Sequence, residues 1–265
     1  MTRVVNTRDM TSIDAERIWA SGNLRALATH HTAAHDRLVQ STGIRPGDSV
    51  LDVGAGTGTT SLAAARSGGA VTAVDIVADF LATVRERATA EDLDITTMVA
   101  DAQDLPFQDG EFDVVLSTFA VMFAADATKA AAELVRVSAG RIGVASWTAD
   151  GFVGHCMATL ARYQTGTIGL EPLRWGDEAF VRDLLPNPRF TKYTVMTHHE
   201  SPDKAVAFLR ATLGPVRATF EALDDKRRNT LTEELKEVMA RFNTTRDGSV
   251  AVPAEYLEAV VGKGD

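Results

Sequence analysis

The residues best placed to do chemistry lie in Val50-Leu51-Asp52-Val53-Gly54-Ala55-Gly56-Thr57-Gly58. The segment follows a strand-length apolar run and precedes an alanine-rich, helix-prone stretch, the setting a nucleotide-binding glycine loop needs. Glycine lets the chain turn sharply at the strand end and lets a ligand approach the backbone without meeting a Cβ. The helix opening near Thr59 turns its free N–H groups toward the same place. The spacing is G-x-G-x-G. In the dinucleotide fingerprint G-x-G-x-x-G/A the third position would fall on Thr59, which fits neither option. Asp52 adds a carboxylate inside the motif, which suits a cationic ligand better than a pyrophosphate.

Two further carboxylates follow in order. Asp75 ends the apolar run 70–74, about 20 residues past the loop, where an acidic side chain can accept hydrogen bonds from ribose hydroxyls. Asp101 opens Asp101-Ala102-Gln103-Asp104-Leu105-Pro106-Phe107 after a third strand-like run. A carboxylate and a backbone N–H there can read an adenine edge. Each acid alone is an ordinary loop residue; their order and spacing together indicate an adenosine-bearing ligand. The histidines are His30, His31, His35, His155, His198 and His199. His31 and His35 share a helix face. They lack the glutamate of H-E-x-x-H, and no metal is expected. His155 follows the fifth strand-like run, where a substrate segment can begin, and His198-His199 reads as structural.

The elements that must position these groups alternate. Strands are expected at 49–53, 70–74, 95–100, 112–117 and 141–147, with helices at 59–67, 79–91 and 128–137 between them. That rhythm with short links predicts parallel strands joined by right-handed crossover helices, a doubly wound α/β sheet. Later the pattern becomes helix-rich: helices at 152–165, 178–185 (capped by Asp177), 202–223 with a break at Gly214-Pro215, and 230–242. Strands at 190–198 and 256–261 bring the sheet to seven. The late helices fall between strands, so one domain is expected: a helical lid at 1–45, a core at 46–148, a cap and substrate region at 149–245 and a last strand within 246–265.

Composition narrows the function classes. The 265 residues carry a formal charge of -9, so a nucleic-acid partner would need a local basic patch. The densest basic run, Lys226-Arg227-Arg228, is flanked by acids and reads as a solvated helix face. One cysteine, Cys156, excludes an internal disulfide and a thiolate metal cluster. The first ten residues lack the apolar centre of a secretory signal, and no apolar run approaches the ~20 residues of a membrane span. The expectation is a cytoplasmic protein acting on a small molecule, without nucleic acid or membrane; a homodimer is left open.

Taken together, residues 50–58, Asp101 to Phe107, the Phe-Asp-Val-Val stretch of 112–118 and the helix-then-strand segment 132–142 resemble the class I S-adenosylmethionine (SAM)-dependent methyltransferases. The similar group includes the ubiquinone/menaquinone C-methyltransferases and many small-molecule tailoring enzymes, and the resemblance covers residues 19–147. It implies a Rossmann-like fold and SAM as cofactor, with S-adenosylhomocysteine as product. It places Asp52 near the methionine amino group and Gly54, Gly56, Thr57 and Gly58 along the amino-acid and ribose portion. It also places Asp75 on the ribose diol with Ile76 against adenine, Asp101 and Ala102 at the adenine ring, and Thr118 at the methionine end. Trp19 and Gly22 resemble the family's N-terminal lid. The family's longer turn before strand five is shortened at Arg136-Val137-Ser138-Ala139-Gly140, so that loop's geometry does not carry over.

Methyl transfer is an in-line displacement in which alignment supplies much of the rate. An oxygen or nitrogen nucleophile also needs a base, for which His31 and His155 are the candidates. Phe119, Met122 and Phe123 either line an apolar pocket or fill the core. The leading reading is a methyltransferase acting on a small molecule such as a secondary metabolite or quinone-like compound. The alternatives are a cyclase or isomerase on the same fold that does not consume SAM and, further off, a binding module or an NAD-dependent dehydrogenase.

Overall fold

The computed structural model describes residues 12–163 and 171–262. Its sheet has seven strands in the order β3-β2-β1-β4-β5-β7-β6. These are β1 (Ser49–Val53), β2 (Ala70–Asp75), β3 (Ile95–Val99), β4 (Phe112–Thr118), β5 (Ser138–Trp147), β6 (Arg189–His199) and β7 (Val250–Val261). The first five are parallel, and β7 runs antiparallel to both its neighbours. This is the mostly parallel doubly wound sheet expected. Every residue of β4 except Asp113 is buried, as is β1 beyond Ser49. Continuous burial, rather than alternation, is what helices on both faces require.

Among the described residues the helices are α1 (Ser12–Ala20), α2 (Leu24–Thr42), α3 (Thr59–Arg66), α4 (Ala78–Ala90), α5 (Ala127–Val137), α6 (Phe152–Ala161), α7 (Glu178–Leu184), α8 (Pro202–Thr212), α9 (Gly214–Glu221) and α10 (Asp225–Phe242). Short polar side chains start several of them. Asp126 accepts from the Thr128 and Lys129 amides, Asp177 from Phe180 and Asp224 from Arg227, each cap contributing about 1 kcal/mol. α2 packs along α3, β4 and β5, whereas α6, α8 and α10 stack beside β6 and β7.

Three boundaries differ from the sequence expectation. α10 begins at Asp225 rather than 230, because its first turn is held by the Asp224 cap and not by apolar spacing. β5 begins at Ser138 rather than 141, with a bulge against Phe112/Val114. β7 begins at Val250 rather than 256. Its first half contains Pro253, which lacks an N–H. There β7 pairs only with β6, since β5 reaches no further than Tyr256, so the proline interrupts no second ladder. Lys226 and Arg227 are exposed, as the reading of a solvated face requires, whereas Arg228 is half-buried and donates to the Phe220 carbonyl. The helix expected at 152–165 ends at Ala161, and residues 164 and 165 lie outside the described residues.

Candidate active site

The glycine loop leaves β1 at its carboxyl end, beside the gap between β1 and β4 where the strand order reverses. Open α/β sheets bind ligands at that crevice. Gly54 and Gly56 hold φ of +69° and +53°, a left-handed backbone that a side chain disfavours. A Cβ on Gly54 would collide with Ala120 Cβ, whereas one on Gly56 would meet nothing within 4 Å because that position faces a cavity. Gly54→Ala is expected to cost about 2–4 kcal/mol, from the left-handed backbone and the overpacking against Ala120. Urea unfolding checks it, and a loss below 1 kcal/mol would show that the loop can shift.

Asp75 organises the loop. Its Oδ2 accepts from the Gly56 amide at 2.8 Å and its Oδ1 from the Val77 amide at 2.9 Å. Burial raises its pKa and the backbone hydrogen bonds pull back against that. Asp52 lies beneath the loop, not on it. It is 1% exposed, its Oδ2 accepts from Ser61 at 2.5 Å, and it does not line the cavity. Burial, opposed by the Ser61 hydrogen bond, pushes its pKa up to about 7. From α4, Arg87 donates to the Thr57 carbonyl at 2.6 Å. Gly58 caps α3 without a side-chain bond and likewise does not line the cavity.

The stretch after β3 is clamped from α5. Arg136 donates to the carbonyls of Phe107 (2.7 Å) and Leu105 (2.9 Å), and Glu133 accepts from the Leu105 amide (2.7 Å). Gln103 donates to Asp101 and accepts from the Asp126 amide. Asp101, Ala102 and Gln103 thereby face the same cavity as Gly56, Thr57, Asp75 and Ile76.

That cavity, about 350 Å³, continues past Thr118 under α2 and the late helices. His31 meets the rings of Trp147 and Phe119 edge-on, with centroids 5.0 and 5.9 Å away, and those two rings stack at 3.8 Å. Phe119 holds a left-handed φ of +55°. His35 Nδ1 lies 2.7 Å from Thr60 Oγ1, which lies 2.8 Å from Thr118 Oγ1. Burial above all, with a smaller contribution from the adjacent titratable groups (His30 for His31; His31 and Arg87 for His35), pulls His31 down to about 4 and His35 to about 3. Both imidazoles are therefore neutral at neutral pH, and both are weak bases.

The structure thus brings Gly54, Gly56, Thr57, Asp75, Ile76, Asp101, Ala102, Thr118 and His31 to one cavity and leaves Asp52, Gly58 and His155 off its wall. His155 turns toward Phe242 of α10, centroids 5.2 Å apart. The face of α6 that meets the cavity is Phe152, Val153, Cys156, Met157 and Leu160. His35 was open to a sequence reading, being four residues from His31. The Glu133–Arg136 clamp, some thirty residues from the loop it holds, left no local signal. Trp19 lines the cavity edge-on to Phe123 at 4.9 Å.

A family profile described as a methyltransferase domain matches residues 51–140. Two uncharacterized proteins of Mycobacterium tuberculosis are similar to this chain. One is 43% identical over 173 residues, 63% of each chain; the other is 35% identical over 219 residues, 79% of this chain and 80% of its own. The first match therefore spans less than two thirds of that relative. Demethylmenaquinone methyltransferase of Beutenbergia cavernae is 33% identical over 144 residues, 54% of this chain and 52% of that one. Among solved structures, the YcgJ protein of Bacillus subtilis aligns over 89% of this chain and all of its own with a TM-score of 0.57 and 19% identity, a likeness of fold. The matched profile lies over the strands and loops that carry Asp52, Asp75 and Asp101, and residues 51–140 of this chain belong with the methyltransferase domains that it describes.

Proposed function

We propose that this protein transfers the methyl group of SAM to a small organic acceptor. The observation that supports this best is that Gly56, Asp75 and Asp101 share one wall of a cavity that runs on, past Thr118, to the apolar side chains of α6, α8, α9 and α10. The residues suit the cofactor. Asp75 would accept from the ribose hydroxyls while keeping its backbone bonds, since each carboxylate oxygen has two lone pairs. Ile76 would pack on adenine and Asp101 and Ala102 would read its edge. Gly54, Gly56 and Thr57 would pass along the amino-acid portion, with Thr118 at its methionine end. Asp52 and Gly58, set behind that wall, would support the loop. Bound SAM supplies a methyl already activated by the sulfonium charge. The protein's work is then alignment and exclusion of water.

His31 is placed to orient the acceptor. As a weak, neutral base it assists only a nucleophile that gives up its proton readily. A second reading rests on that same observation: a cavity without a strong base also suits a ring-forming or isomerising reaction that leaves SAM intact. Calorimetric titration with S-adenosylhomocysteine is expected to give micromolar binding, and NADH none. Methyl-labelled SAM with a panel of acceptors should then give a labelled product. Turnover without S-adenosylhomocysteine release would select the second reading. With an acceptor in hand, His31→Ala is expected to lower turnover at least tenfold and His155→Ala to leave it unchanged; the reverse would exchange their roles.

A further inference from the structure

The half of the cavity beyond Thr118 differs in chemistry from the half at β1 to β3. Among the described residues that line the cavity, only Asp75 and Asp101 are Asp, Glu, Lys or Arg, and both belong to the cofactor half. The other half is walled by Phe152 and Leu160 of α6, Leu209 of α8, Val216 of α9, Met239 of α10 and Val252 of β7. In a chain of which 24% of residues are charged, five separate elements turn no charged side chain toward this space. Its polar groups are Thr197, His199 and His30, with His31 beside Trp147 and Phe119 at the boundary of the two halves. The His30 and His199 imidazoles stack at 5.4 Å and both rest on Phe208. Burial, then the nearby histidines, holds both below their ordinary pKa. They are therefore groups that donate or accept a hydrogen bond without carrying charge.

We infer that the acceptor is an uncharged, lipophilic molecule whose polar groups are neutral hydroxyls or carbonyls. A phosphate, carboxylate or ammonium in this chamber would leave water and find no counter-charge on the protein, which an apolar wall does not tolerate. A hydroxyl or carbonyl would find its partner in His30, His199 or Thr197, and the remaining carbon skeleton would be buried against aliphatic and aromatic side chains. The inference rests on the cofactor occupying the β1-to-β3 half and leaving the other half to the acceptor.

The test uses three ligands with one ring system, 1-naphthol, 1-naphthoate and 1-naphthylmethylamine, titrated calorimetrically at pH 7 into the full chain with and without saturating S-adenosylhomocysteine. 1-Naphthol is expected to bind at least tenfold more tightly than either ion. Leu209→Lys is expected to reverse the order in favour of naphthoate while still binding S-adenosylhomocysteine. Equal or tighter binding of either ion by the unmodified protein overturns the inference, as does the absence of saturable 1-naphthol binding. The three-ligand comparison stands whether or not the lysine variant folds. Selective 1-naphthol binding without any affinity for S-adenosylhomocysteine would sink the proposed methyl transfer and leave the neutral chamber intact. The opposite pattern would sink only the neutral acceptor.

Discussion

Asp75→Ala is expected to weaken S-adenosylhomocysteine binding a hundredfold or more while the unliganded protein keeps its fold. The carboxylate would supply two hydrogen bonds to the ribose, each worth about 1.5–3 kcal/mol when the acceptor is ionised, and about 1.4 kcal/mol is a factor of ten in affinity. The same substitution also frees the Gly56 amide that Asp75 now holds at 2.8 Å. The fold should survive because the Gly54 and Ala55 amides still reach the Val74 carbonyl, each at 2.9 Å. Burial already disfavours the Asp75 charge, so its removal also relieves a cost. Asp75→Asn, which keeps the shape and one acceptor oxygen, should fall between. Calorimetry on the three proteins checks this; an affinity unchanged in the alanine variant would take Asp75 out of the site.

Acid should loosen the protein through the histidines over the cavity. In the folded state His31 and His35 hold pKa values of about 4 and about 3, against 6.5 ordinarily. Below pH 6.5 the unfolded chain takes up protons that the folded chain refuses, so stability falls as pH drops toward those values. Each pKa unit corresponds to about 1.4 kcal/mol, so the full effect is about 3–5 kcal/mol per histidine. Asp52 acts in the opposite sense. Its folded value of about 7 stands above the ordinary 3.8, so its contribution is present at low pH and is lost as pH rises through 7. One histidine and the aspartate nearly cancel, leaving the second histidine to set the slope. His35→Gln, which can still bond Thr60, should remove about 2–3 kcal/mol of the loss between pH 7 and 4.5 in urea titrations. Parallel losses in both proteins would mean that His35 is not buried neutral.

The parts of this architecture that could be read from the chain are those where one residue type has one physical use. β1, β2 and β4 are largely buried and so appear as short, mainly apolar runs. Gly54 and Gly56 are where the backbone turns left-handed, and the spacing from them to Asp75 is set by one crossover helix. The start of β7 was hidden because Pro253 contradicts a strand unless it is known that β5 stops short of it. The start of α10 was hidden because a capped, polar first turn has no apolar period. The catalytic candidates were harder still. His31 could be placed by its spacing on α2, but which side of α6 meets the cavity depends on packing against α10, which no local pattern encodes. Asp52 looked like a ligand contact from its position in the loop motif, whereas its carboxyl turns under the loop to Ser61.

The place of β7 has a consequence for synthesis. β7 is made after β6, yet it sits between β5 and β6 and, among the described residues, supplies the only ladder that β6 has. A nascent chain on the ribosome can therefore assemble β1 to β5, and with them the cofactor wall, well before the acceptor chamber exists. Until Val261 has emerged, β6 is an unpaired strand and the late helices have no floor. Such a late, long-range closure is slow relative to local folding and exposes apolar surface while it waits. The interval between Trp147 and Val261 is therefore when the growing chain is expected to expose the most unpaired strand edge.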